Sequence, residues 1–496
     1  ACYDYFKWGE YLEPTGNDFA ECGWADRDYY GAAMGVSLGI VNRVHHSYAA
    51  AWGFPAEALS WKVALNEAYG ADSGPAMELM TGMVARDVEV LMVYPMNLVA
   101  VEERFGSWMT QYGYANYLTS EKLVEMGSVD GDGRMHVAEK KYGTIAVMFE
   151  PLPSKGLLDL LGEFASRGGK VIWFSAPPLL DGEGKDCRGQ WQSLFGVEYG
   201  FSDYMGEVAV GKIVDFTMEG VAPQVILTDF LVDKIYPVKA ADNVETVARV
   251  EDQIVGTHRK YGSGDVWYFG FRPRDDQSAS LGYESRTLYE ILVAAGAYPP
   301  SGKFAGNDNP VVVSRTSDCF ASKFPNGTTA IVKHYRTHRE NWEGGFSRNA
   351  EEDAKALAAN PLPSDELHLE GMRVNGHEVT YCGKRNVAFN TDSSGRLCAF
   401  NGLESSSITL DGVEYRLADR PVSLCFGGHF AKNGYDCRLF VDRPCKLTIP
   451  LPARSRKVSV MDGKKALKGV SFEDGTLSME VDPSLAGKWL NVSVVY

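Results

Sequence analysis

The sequence predicts a multidomain protein, α/β in its first 300 residues and all-β after them. Three observations carry this. Short strand and helix patterns alternate as far as a Pro299-Pro300-Ser301-Gly302 linker. Continuous apolar runs such as Val88-Glu89-Val90-Leu91-Met92-Val93-Tyr94-Pro95 have the composition of parallel strands buried on both faces. Beyond the linker helical periodicity disappears, and short alternating strands are separated by Asn-Gly and Asp-Gly turns.

In residues 1–86 the most informative stretch runs from Phe19 to Trp52. Glu21 lies at the polar end of a short apolar run, and Arg43, His45, His46, Tyr48 and Trp52 end a second one. The helix-like segment Tyr29–Leu38 separates them. This is a βαβ step with reactive side chains at the carboxyl ends of its strands, where (β/α)8 barrels keep their active sites. Amphipathic helices are expected over Trp61–Tyr69 and Met77–Ala85. Two such units cannot close an eight-stranded barrel. The segment therefore reads as the C-terminal part of one, the earlier units lying upstream or on another polypeptide.

Residues 87–300 read as an open parallel α/β sheet. Strands are expected at Val88–Pro95, Thr144–Phe149, Lys170–Ser175 and Gly264–Gly270, and helices around Trp108–Met126, Ser154–Arg167 and Glu284–Ala295, with Gly168-Gly169 as a helix stop. Gly262-Ser263-Gly264 precedes a strand, so it is no dinucleotide turn. Asp130-Gly131-Asp132-Gly133 starts like a calcium loop, but Arg134 stands where an oxygen ligand belongs, and a plain turn is expected. Gly35-Val36-Ser37-Leu38-Gly39 spells a nucleophile elbow but closes a helix instead of opening one.

The all-β part is divided into a β-sandwich over 301–433 and a small C-terminal β-sandwich over 434–496. Its strand patterns include Pro310–Ser314, Thr329–His334, Ser407–Leu410 and Val458–Met461. Turns are expected at Asn326-Gly327, Asn375-Gly376, Asp411-Gly412 and Asp462-Gly463.

Composition narrows the function. A net charge of -16 without Lys/Arg clusters argues against nucleic acid or an anionic membrane as partner. No apolar run reaches the roughly 18 residues of a membrane span. The nine cysteines show no C-x-x-C spacing, which fits free, mostly buried thiols in a reducing compartment and favours the cytoplasm, a periplasmic or secreted location being the alternative if a signal lies on sequence not shown. Cys437 and Cys445 are near enough in sequence to pair, with free thiols favoured. No metal-ligand spacing and no cofactor motif is present, and no signal peptide is legible at residue 1.

Carboxylate, imidazole and aromatic groups together suit a carbohydrate substrate, whose rings stack on Trp and Tyr while its hydroxyls need polar partners. Glycoside hydrolysis is the activity expected. Each residue also has a plain structural role open to it. Glu21 can pair with Arg27 as a half-buried strand residue, and His45 and His46 can be one core and one surface histidine. Glu10, in Lys7-Trp8-Gly9-Glu10-Tyr11, is either a second acid of the site or, as favoured, a surface residue.

The order of parts, with the segments VEVLMVYP, YGTIAVMFEPLP and FASRGGKVIWFSAPP, resembles the multidomain glycoside hydrolases built like family 42 β-galactosidases. In those a catalytic barrel is followed by a flavodoxin- or amidotransferase-like trimerisation domain and a β domain. GIVNRVHHSY is also similar to the last barrel strand of large rhamnosidase-type hydrolases. The resemblance implies that the His45 strand is the eighth of the barrel and the Glu21 strand the seventh, which places Glu21 as the nucleophile of a retaining enzyme. The acid/base, on the fourth strand, would then lie on a segment absent from this chain. Arg43 would lower the Glu21 pKa, His45 or His46 would bind sugar hydroxyls, and Tyr48 and Trp52 would wall the subsite. An inverting, rhamnosidase-like outcome would make Glu21 a general base. The α/β sheet would provide contacts for a homo-oligomer, or a partner chain would complete the barrel. Two other classes remain: a non-catalytic carbohydrate-binding or assembly subunit, and an amidotransferase-like enzyme. The latter would need a nucleophilic Cys after a strand, which Cys187 in its charged loop does not offer.

Overall fold

The computed structural model describes residues 74–82, 84, 86–94, 115–200, 206–226, 234–273, 286–298, 319–333 and 365–496. These are mostly β-strand with few helices, arranged in several sheets. They fall into two compact units, one spanning 88–298 and the other combining 74–87 with 319–496. Among them no helix is long and apolar enough to cross a membrane. The expected barrel strands and the helix over Trp61–Tyr69 lie outside the described residues. The helix expected over Met77–Ala85 is present as Gly74–Thr81.

The first unit is built on five parallel strands: β1 (Val90–Tyr94), β2 (Asn116–Thr119), β3 (Thr144–Met148), β4 (Lys170–Phe174) and β5 (Gly264–Phe269). Their spatial order is β2-β1-β3-β4-β5, all parallel. This is the doubly wound order that reverses beside β1. The apolar runs are explained by burial, since every residue of β2 and β3 is buried and only the ends of β1 and β4 are partly exposed. Beyond β5 four antiparallel strands extend the sheet, in the order Gln253–Tyr261, Glu245–Val250, Ile213–Phe216 and Gln224–Val225. The purely parallel sheet expected from the sequence is thus corrected to a mixed one. Gly262-Ser263-Gly264 is the hairpin tip joining Gln253–Tyr261 to β5, where a Cβ on Gly264 would collide with the Gly169 carbonyl oxygen.

The helices are α1 (Ser120–Met126), α2 (Leu157–Ser166), α3 (Arg188–Phe195) and α4 (Arg286–Ala294). The helix expected from Trp108 to Met126 needs correction. Asn116–Thr119 is strand, and the helix starts only at Ser120, where the Thr119 hydroxyl accepts from the Lys122 amide at 3.3 Å. A strand that runs straight into its helix leaves no Gly or Pro to mark the change. Helix α2 stops as expected, the Gly168 and Gly169 amides donating to the carbonyls of Ala165 and Phe164.

Trp191 of α3 is fully buried, with its ring centroid 5.1 Å from Tyr268 of β5, 4.8 Å from Phe195 and 6.2 Å from Trp173 of β4. It ties the helix to the sheet. Trp191→Ala is expected to cost the unit roughly 3–5 kcal/mol, lowering the midpoint of denaturant unfolding. A change under about 1 kcal/mol would show that the helix is held by other contacts.

The second unit has a twelve-stranded antiparallel sheet and a three-stranded one made of Cys445–Pro450, Thr476–Val481 and Ser471–Glu473. One apolar core includes Phe389, Phe426 and Leu439 from the large sheet and Ile449 and Leu477 from the small one. Asn375-Gly376 and Asp411-Gly412 turn the chain with positive φ at both residues (48° and 80°, 52° and 84°), the geometry of type I′ hairpins. The division expected near Gly434 is corrected. Strands Val422–Ala431 and Gly434–Val441 pair from Leu424–Val441 to Ala431–Gly434, so one sheet runs through that point and Gly434 belongs to a hairpin. Helix Gly74–Thr81 packs on strands Leu397–Ser405 and Val422–Ala431. Its Met80 carbonyl accepts from Thr328 Oγ1 and Asn326 Nδ2, both at 2.7 Å.

Candidate functional site

Glu21, Glu10, Arg43, His45, His46, Tyr48 and Trp52 all lie outside the described residues. The structure neither assembles nor separates them. The arrangement of functional groups that it does describe sits at the carboxyl ends of the parallel strands in the first unit, where open α/β sheets take their ligands.

Strands β3 and β4 end level with one another, Met148 beside Phe174. The next residue on each, Phe149 and Ser175, is held at φ 56° and 69°. Left-handed backbone costs a residue with a side chain about 1–2 kcal/mol, and such strain gathers at functional positions. Backbone bonds hold both turns, from the Phe149 amide to the Phe174 carbonyl (3.4 Å) and from the Ser175 amide to the Phe269 carbonyl (2.8 Å). The Trp173 indole N–H donates to the Ala176 carbonyl at 3.0 Å and fixes the chain beyond Ser175.

Glu150 follows Phe149 and is only 2 % exposed. Burial pushes its carboxyl from 4.5 up to about 8, the Glu121 charge adds to the rise, and a hydrogen bond from the Ser120 hydroxyl opposes it. Ser120 Oγ also lies 2.9 Å from Ser154 Oγ. Two polar atoms here have no hydrogen-bond partner: Glu150 Oε1 and Oγ of the fully buried Ser175. A buried, neutral carboxylic acid both donates and accepts hydrogen bonds, and perturbed acids of this kind mark candidate sites. Glu150 is not among the residues that sequence pattern marks as functional. Its one signal was a carboxylate at the end of the unbroken apolar run Thr144–Phe149.

The cysteines give no support to amidotransferase chemistry. The seven described ones are all free, Cys437 and Cys445 included. Burial foremost, with Asp181 and Asp186, pushes the Cys187 thiol up to about 11, and burial raises Cys437 to about 12. Thiols raised this far stay protonated and are poor nucleophiles. Asp130 serves its own turn: its carboxylate accepts from the amides of Arg134 (2.9 Å) and Asp132 (3.0 Å) and lies 2.6 Å from His136 Nε2. The Arg134 amide and His136 hold its carboxyl down at about 2. Among the described residues no group of His, Cys, Asp and Glu is arranged to hold a metal ion.

No family model and no curated protein matches the chain. Solved structures similar to it include a β-galactosidase from Bacillus circulans sp. alkalophilus, 9% identical with a TM-score of 0.38 over 72% of this chain and 45% of that one. Gan42B, a GH42 β-galactosidase from G. stearothermophilus, is 16% identical with a TM-score of 0.35, over 57% of this chain and 42% of that one. The exo-β-1,4-mannosidase Op5Man5 from Opitutaceae bacterium strain TAV5 is 11% identical with a TM-score of 0.29, over 47% and 39%. The chain spans less than half the length of each of these glycosidases, and the resemblance to them is a distant structural one.

Proposed function

We propose that this chain carries the nucleophile half of a retaining, exo-acting glycoside hydrolase. What supports the reading is the sequence cluster in which Glu21 ends one short apolar run and Arg43, His45, His46, Tyr48 and Trp52 end a second. Glu21 attacks the anomeric carbon and Arg43 favours its ionised form. His45 and His46 bind hydroxyls, Tyr48 and Trp52 stack on the ring, and Glu10 lies at the margin. The acid/base carboxyl is supplied by a further segment or a partner chain. Retaining chemistry needs that second group about 5–5.5 Å from the first.

This division of labour has a direct test. Aryl glycosides whose leaving group departs as a stable anion, such as dinitrophenyl glycosides, need no proton from an acid. Alkyl glycosides do. The purified chain is expected to release dinitrophenol from at least one sugar of a panel and to leave the alkyl glycosides intact. If it binds sugars but cleaves none of the activated substrates, it is a non-catalytic carbohydrate-binding or assembly subunit.

A further inference from the structure

We propose that the outward face of strands Gly434–Val441, Trp489–Val495 and Lys457–Asp462, with the basic hairpin that borders it, binds an acidic polysaccharide, a glycan chain that carries uronate carboxylates. The three strands are hydrogen-bonded neighbours in the twelve-stranded sheet, and Lys465–Ala466 is its edge. Side chains alternate along each strand. Leu439, Leu490, Val492, Val494 and Val460 belong to the core, so the residues between them face outward. On that face the register sets Phe440 beside Trp489, Arg438 beside Asn491, Ser459 beside Ser493 and Lys457 beside Val495.

A chain of net charge -16 reverses its sign here. Residues 454–468 hold Arg454, Arg456, Lys457, Lys464, Lys465 and Lys468 against a single acid, Asp462. All six cations are exposed, and none has an ion-pair partner among the described residues. Asp462 is itself engaged, 3.6 Å from Lys488. Lysines at a sheet edge also guard against edge-to-edge pairing, which by itself accounts for Lys464, Lys465 and Lys468. It does not account for Arg438, whose strand lies three places in from the edge. The Arg438 guanidinium lies 4.5 Å from the centroid of the Trp489 ring, Phe440 stands 5.2 Å from the same ring, and Arg438 too has no ion-pair partner among the described residues. A guanidinium held over an aromatic ring is oriented in advance for two-point bonding to a carboxylate.

Charge selects an anion, and the surface between the charges selects its kind. Asn491, Ser493 and Ser459 lie between Arg438 and Lys457 on the outward face. Their amide and hydroxyl groups donate and accept, as sugar hydroxyls require. Arg438 and Lys457 are two strands apart across the sheet and four residues apart along it, a separation of roughly 17 Å that a short oligosaccharide spans. Nucleic acids and anionic membranes present a dense and extended negative charge, which a protein of net charge -16 repels beyond this strip. A uronate chain sets its charges farther apart, with neutral hydroxyls between them. Among the outward residues of the three strands the one acid is Asp436, beside His429 at the far margin from the basic hairpin. This surface is independent of any chemistry at Glu21.

The test is isothermal titration of the whole chain with oligosaccharides of galacturonate and of mannuronate, with a neutral galactan oligosaccharide of equal length, with duplex DNA and with phosphatidylserine vesicles. Wild type is expected to bind at least one of the two uronates at low salt, about tenfold or more tighter than the galactan, and to lose that affinity as salt screens the charges. Arg438→Gln should weaken binding about tenfold, and so should Lys464→Gln, Lys465→Gln and Lys468→Gln made together. Lys185→Gln removes an exposed cation from the other unit and should leave binding unchanged, as should Glu21→Gln. No binding of either uronate by folded wild type, or an affinity that Arg438→Gln does not alter, would overturn the proposal. Tighter binding of DNA or of the vesicles would overturn it by assigning the surface to another polyanion, and loss of binding with Glu21→Gln by assigning the glycan to another site.

Discussion

Glu21→Gln is expected to lower the rate of release from an activated aryl glycoside by about 10³-fold or more. Glutamine keeps the shape of the side chain, but its amide is not a nucleophile and forms no glycosyl ester. A 10³-fold loss corresponds to roughly 4 kcal/mol of transition-state stabilisation. The loss should fall on kcat with little change in KM, because contacts from Arg43, His45, Tyr48 and Trp52 to the hydroxyls and ring face remain. Glu10→Gln should stay within a few-fold of wild type if Glu10 is a marginal surface residue. Full activity in Glu21→Gln would instead assign Glu21 a structural role, as the strand partner of Arg27.

Glu150→Gln is expected to remove a large pH dependence from the stability of the α/β unit. The folded-state carboxyl titrates at about 8, against 4.5 for its ordinary value. Between those two values the folded chain keeps a proton that the unfolded chain has released, so stability falls as pH rises. The contribution is complete below 4.5, declines by roughly 1.4 kcal/mol per pH unit through the window, and levels off above about 8. The full loss is on the order of 5 kcal/mol, a large part of a typical domain's stability. Glutamine cannot ionise, so the variant should lack this slope and exceed wild type in unfolding free energy at about pH 8. Urea unfolding at a series of pH values measures it. Parallel wild-type and variant curves would mean that water reaches Glu150 and keeps its pKa ordinary.

The parts of the fold legible in the sequence are those where one local signal decides the outcome. Strands β1, β3 and β4 read as continuous apolar runs because both faces of a parallel sheet are covered. The Asn-Gly and Asp-Gly turns at 375–376 and 411–412 stood out because their geometry needs positive φ twice. The parts that were not legible are settled by tertiary contacts. Ile213–Phe216 and Gln224–Val225 are short strands with exposed residues, and pairing with neighbours defines them more than pattern does. Asn116–Thr119 reads as helix in sequence because it has no boundary residue before Ser120. At Gly434 the change in pattern is that of a hairpin within one sheet.

The polar groups at the ends of β3 and β4 show the same limit more sharply. Ser120, Glu150, Ser154 and Ser175 span more than fifty residues of chain, and only the strand order brings their elements to one edge of the sheet. Nothing near Glu150 in sequence announces a buried acid, since its elevated pKa comes from burial and from Glu121. The Glu21 cluster differs in sequence terms, because its polar and aromatic residues fall within a few tens of residues, at the ends of two short apolar runs.

The most direct test of the central claim is peptide mass mapping after incubating the chain with a 2-deoxy-2-fluoro dinitrophenyl glycoside of the sugar it cleaves. The fluorine slows both steps by destabilising the oxocarbenium-like transition states, and the good leaving group lets the glycosyl-enzyme form and accumulate. The account predicts one glycosyl adduct per chain, on the peptide that contains Glu21 and absent from Glu21→Gln. An adduct on another carboxylate, or turnover of the unfluorinated substrate with no adduct on any peptide, would contradict it.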